Sequence, residues 1–129
     1  MFFRYPLREL QPTRQVKGEP VRRWFASSGA DLIVWLRDDG SLQGFQFCYD
    51  KEYDEHALTW MEAHGYSHMA VDTGSIDGWG SGTPLLVPNG VIDADRILEL
   101  FRGESAALPP EYAGFVESKL RDFAQKLRP

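Results

Sequence analysis

A single cysteine, Cys48, stands in the 129 residues. No internal disulfide can form, which excludes the cross-linked class of small secreted folds. Long apolar runs are missing as well. The longest is Leu32-Ile33-Val34-Trp35-Leu36, against roughly twenty residues needed to span a bilayer, so no membrane partner is expected. Basic charge is in deficit: 14 Lys and Arg face 19 Asp and Glu, a net charge of −5. Nucleic-acid binding displaces counterions from phosphate with a basic surface, and this chain as a whole lacks one. Catalytic signatures are absent too. The chain carries no G-x-S-x-G elbow, no phosphate loop with its Lys, no His-Glu-x-x-His and no paired Cys-x-x-Cys. No cofactor is therefore expected.

What remains is globular. Apolar residues make up 43% and charged residues 26%, the balance of one folded domain spanning residues 1–129. The charge is uneven. Up to Arg23 there are six basic and two acidic side chains, leaving +4 there and −9 in the remainder. Residues 1–20 hold Pro6, Pro12, Gly18 and Pro20, which interrupt any long element. They read as an extended basic and apolar arm, with one short helical turn about Leu7–Leu10. Phe2, Phe3, Tyr5 and Leu7 require the arm to lie on something, either its own sheet or a second subunit. Arg4, Pro6 and Arg8 break the start of the chain before an export signal's apolar stretch can form, so a cytoplasmic location is expected.

From about residue 22 to 87 the pattern is that of strands. Ala30 to Arg37 alternates Leu32, Val34 and Leu36 with Ile33 and Trp35, apolar on both faces, as in a strand covered from both sides. Asp38-Asp39-Gly40-Ser41 supplies a hairpin turn with glycine for a positive φ. The return strand, Leu42 to Tyr49, puts Phe45, Phe47 and Tyr49 on one face. Residues 56–62 fit a third strand, a helix to His64 being the alternative, with a turn at His64-Gly65-Tyr66. Strands at 68–73 and 83–87 follow. The last third changes period. Asp93 is an N-cap for a helix over 94–102, closed by Gly103. Pro109-Pro110 opens a second helix over 110–127, whose stripe is Tyr112, Phe115, Val116, Leu120, Phe123 and Leu127. The sum is an α+β fold, an antiparallel sheet of about five strands under two C-terminal helices.

Several residues could carry chemistry. A hairpin centred near Glu52 would set Cys48 across from His56 on one face, making a thiol–imidazole pair possible, while a one-residue slip would separate them. Imidazoles His64 and His68, with Asp72, are a candidate metal set. The acidic run Asp50, Glu52, Asp54, Glu55 lacks the glycine and the terminal bidentate Glu of a calcium loop. Residues 74–83 hold four glycines around Trp79. Asp77, Gly78, Trp79 and Gly80 form a candidate binding loop, because an indole on a glycine-rich loop is either tucked in or waiting for a partner. No constellation meets the requirements of catalysis. The reading is a binding or interaction domain, self-associating as a homodimer or taking another protein partner. The alternative is a small-ligand binder or enzyme with a pocket near the glycine-rich loop and the His and Cys residues.

Overall fold

The structure, a computed structural model, describes residues 5–71 and 92–128. Six strands lie in one antiparallel sheet in chain order: β1 (Arg8–Leu10), β2 (Val21–Ala26), β3 (Ala30–Leu36), β4 (Leu42–Tyr49), β5 (His56–Met61) and β6 (Gly65–Ala70). Two helices follow, α1 (Ala94–Glu104) and α2 (Pro110–Leu127). The fold is α+β, with six strands rather than about five. Every sheet neighbour is also a sequence neighbour, so each connection is a hairpin and the sheet is a meander.

The additional strand is β1, within the stretch read as an extended arm. Arg8–Leu10 pairs with Trp24–Ala26 of the same chain, where the sequence suggested a helical turn. Pairing across space decided this, since the five residues between Pro6 and Pro12 hold too little chain for helical propensity to act. Leu7 is fully buried, and its N–H donates to the Glu104 carbonyl at 3.0 Å. The arm is thus anchored on its own domain. Its charge is used locally: Arg23 makes a two-pronged bond to Glu9 at 2.7 and 2.6 Å and donates to the Tyr112 hydroxyl at 3.0 Å.

Turn chemistry sets the register of the hairpins. Gly40, at φ 87°, closes the β3–β4 turn, where Arg37 N–H donates to the Ser41 carbonyl at 2.8 Å. Gly65, at φ 76°, starts β6, so this strand begins three residues before the expected position 68. Asp50 takes a left-handed φ of 56°, which ends β4, and its carbonyl accepts from both Tyr53 and Asp54 N–H at 3.2 Å. Residues 56–61 are strand, as favoured over the helical alternative. The expected strand at 83–87 lies outside the described residues.

Both helices lie on one face. The Asp93 carboxylate accepts from Arg96 N–H at 3.0 Å, capping α1, which runs through Gly103 to a C-cap at Ser105. Pro110 sits in the first turn of α2, where no backbone donor is needed. α2 begins over β2, with Tyr112 edge-on to Phe25 at 6.4 Å, and ends over β6, with Phe123 on Tyr66 at 5.1 Å. It therefore crosses the strands. α1 runs the opposite way, from Arg96 at Asp50 to Glu104 at Ser27. Between the layers lie Phe25, Leu32, Val34, Phe45, Phe47 and Leu58 from the sheet and Ile97, Phe101, Val116 and Leu120 from the helices. Each large side chain contributes about 1.5–3 kcal/mol on full burial. The buried Ser27 hydroxyl donates to Glu104 at 2.6 Å and accepts from Ala30 N–H at 3.0 Å, so its desolvation is compensated.

Candidate functional site

The register of β4 and β5 decides the fate of the thiol. Tyr49 opposes His56 and Cys48 opposes Ala57. Because side chains alternate between faces, Cys48 and His56 point to opposite sides of the sheet. The hairpin is centred between Glu52 and Tyr53 rather than on Glu52, and this offset breaks the expected pair. Cys48 is buried, and its thiol is pushed up to about 12 by that burial, with Glu55 and Asp31 adding to the effect and the Gln46 amide and Lys51 opposing it. A thiol so disposed is not a nucleophile at neutral pH.

The other candidates are dispersed as well. His64 sits in the turn before β6 and His68 lies near its far end, about 13 Å away at the rise of an extended strand. They do not share a site. Among the described residues, no group of three or more His, Cys, Asp or Glu is placed to hold a metal ion. Asp72 and the loop residues Asp77, Gly78, Trp79 and Gly80 lie outside the described residues.

The structure brings together a different set. Tyr49, His56 and His68 share the helix-side face of β4, β5 and β6. The Tyr49 hydroxyl and His68 Nε2 share a hydrogen bond at 2.5 Å, reaching past β5. The His56 ring lies parallel to both, 6.0 Å from Tyr49 and 5.2 Å from His68. His56 Nδ1 meets the Asp54 carbonyl at 2.8 Å, with the Asp54 carboxylate 4.0 Å away. Burial, and then His56 itself, lowers the His68 pKa to about 4, while burial pushes the Tyr49 phenol above its ordinary value. Both groups are thus held neutral. A base titrating near 4 and a phenol shifted upward are poorly matched to proton transfer at pH 7. The alternation of β4 placed Tyr49 on the core face, but its meeting with His68 depends on two successive registers, which alternation alone does not supply.

The face of the sheet opposite the helices presents another kind of surface. By register it carries Trp24, Ile33, Trp35, Gln46, Cys48, Ala57, Thr59, Met61, Ser67 and Met69. Ile33, Cys48 and Ala57 are buried yet stand apart from the helix-side core. Trp35, Thr59, Met61, Ser67 and Met69 are half-buried. Met61 folds over Gly44, where an added Cβ would come within 2.7 Å of the Trp60 carbonyl. Charge is confined to the margins. Arg8 and Arg22 lie at the β1–β2 side, and at one end Lys51 bonds Asp31 at 3.1 Å and the Ser27 carbonyl at 2.9 Å. Glu55 is raised above the usual carboxyl range by partial burial and by Asp31, with Lys51 opposing. Among the described residues, neither helix lies on this face.

No protein-family model, no curated protein and no solved structure matches the chain. Among the described residues, no helix is long and apolar enough to cross a membrane.

Proposed function

We propose that this protein is a binding domain that associates with a second copy of itself through the sheet face opposite the helices. The observation that carries the reading is the composition of that face: two tryptophans, two methionines and an isoleucine around an uncharged centre, with charge only at the margins. Interface cores are enriched in aromatics and methionine and depleted of charge, which is this pattern. Closed two-fold dimers are the commonest assembly and need one self-complementary patch. The enzyme alternative has less support, because Cys48 and His56 occupy opposite faces and Tyr49 and His68 are both held neutral. A single buried thiol suits a reducing compartment such as the cytoplasm.

The test is sedimentation velocity across the micromolar range for the wild type and for Thr59→Arg, a half-buried position in the middle of β5. The expected result is concentration-dependent association of the wild type and a monomeric variant with an unchanged circular dichroism spectrum. A wild type that stays monomeric at high micromolar concentration, or a variant that associates equally well, would refute the reading.

A further inference from the structure

Strand β6 is a sheet edge whose outer side is unpaired among the described residues, and two contacts hold it against the domain at different ends. Near its start, the Tyr66 hydroxyl donates to the Asp122 carboxylate at 2.7 Å and to the Lys119 carbonyl at 2.8 Å, tying β6 to α2. Further along, His68 hydrogen-bonds to Tyr49 across β5, with the His56 ring stacked beside both. Tyr49 itself stacks on Phe47 at 6.0 Å, and Phe47 meets Phe101 of α1 edge-on at 5.4 Å. The second contact therefore links the edge strand to the core through a chain of rings and one hydrogen bond.

We propose that Tyr49, His56 and His68 form a proton-released clasp, in which neutral imidazoles hold the end of β6 against β5 and β4 and acid frees that end while the Tyr66–Asp122 end stays attached. With both rings neutral, stacking 14° from parallel at 5.2 Å is favourable. Protonation of both would set two like charges at that separation in a half-buried place, where screening is weaker than in water. A protonated His68 can only donate at Nε2, so the Tyr49 hydroxyl must then offer its oxygen. The groups facing the clasp from the packed elements are Asp50 and Asp54 in the β4–β5 connection and Asp93 and Arg96 at the start of α1. Arg96 is committed to Asp50 by two bonds, at 2.9 and 2.7 Å. Asp54 is directed at His56 rather than His68. Among the described residues His68 thus has no carboxylate of its own to compensate a charge, and its low affinity for a proton agrees with this geometry. Tyr66 differs, since its acceptor carboxylate is held below the ordinary range, first by that hydrogen bond, and so is charged at pH 4.5.

Native-state hydrogen exchange at pH 6.8 and 4.5, corrected for intrinsic rates, tests the clasp. Exchange of the β5–β6 amides near His56 and His68 should accelerate by about tenfold or more relative to the β2–β3 amides on acidification. Amides near Met61 and Gly65, at the end tied down through Tyr66, should follow β2–β3. In His68→Gln, which can still hydrogen-bond to Tyr49 but does not titrate, this acceleration should disappear. Equal exchange ratios at the two pH values, or an unchanged acid response in His68→Gln, would overturn the proposal. If that variant does not fold, side-chain titration of the wild type by NMR decides: His68 staying neutral below pH 5 supports the clasp, and ordinary titration near 6.5 refutes it.

Discussion

The two faces of the sheet are made by alternate residues of the same strands, yet they are built differently. On the helix side Phe25, Leu32, Val34, Phe45, Phe47 and Leu58 are each at most 2% exposed, and they interlock with Ile97, Phe101, Val116 and Leu120. On the opposite side only Ile33 reaches that level, in a surface otherwise graded from buried Cys48 and Ala57 to half-exposed tryptophan and methionine. The first face is closed by aromatic packing that holds one arrangement. The second combines apolar character with adaptable side chains, as methionine-rich contact surfaces do. The difference teaches that apolar character on both faces of a strand does not mean equal partners on both. Here one face is covered by the two helices and, among the described residues, the other is not.

Substitutions on the two faces should separate those roles. Phe47→Ala removes a fully buried ring that touches Tyr49 and Phe101, and should cost about 3–5 kcal/mol in urea denaturation. Gly44→Ala tests the closest packing on the second face. Its Cβ would press on Met61 and the Trp60 carbonyl, for an expected loss of about 1–3 kcal/mol. A neutral result there would mean that Met61 moves aside and that the face is looser than described. Acid should act on the helix side alone. His68 binds a proton less readily folded than unfolded, so between pH 6.5 and about 4 the unfolded state carries the extra proton. Its contribution is complete above 6.5, falls through that window and is gone below 4. Allowing for solvent screening, the loss is about 1–2 kcal/mol and should flatten in His68→Gln. Ser67→Ala, on the second face of β6, should change monomer stability by about 0.5 kcal/mol or less at high dilution. A larger loss would make that face part of the stabilising core.

Much of this architecture could be read from residue order. The stripe from Tyr112 to Phe123 marked α2, whose bounds came out as expected, and Asp38–Ser41 marked the central hairpin. These are local signals, carried by helical periodicity and by a glycine needed at positive φ. Strand β1 was not legible, since Arg8-Glu9-Leu10 has no strand pattern and is extended because Trp24–Ala26 pairs with it. The site was legible only in part. His56 and His68 stood out as rare residue types, but their neighbour Tyr49 is fixed by register. The Asp50 backbone at φ 56° sets that register, and it turns on half a residue of hairpin centre. That offset carried His56 from the thiol's side of the sheet to the tyrosine's.

Methionine oxidation gives the most direct check on the division between the faces. Met61 and Met69 lie on the second face, in β5 and β6. With dilute peroxide and mass spectrometry, their oxidation rates should fall several-fold as protein concentration rises from low to high micromolar, while the far-ultraviolet spectrum stays constant. Equal rates at both concentrations would contradict the assignment of this face to self-association.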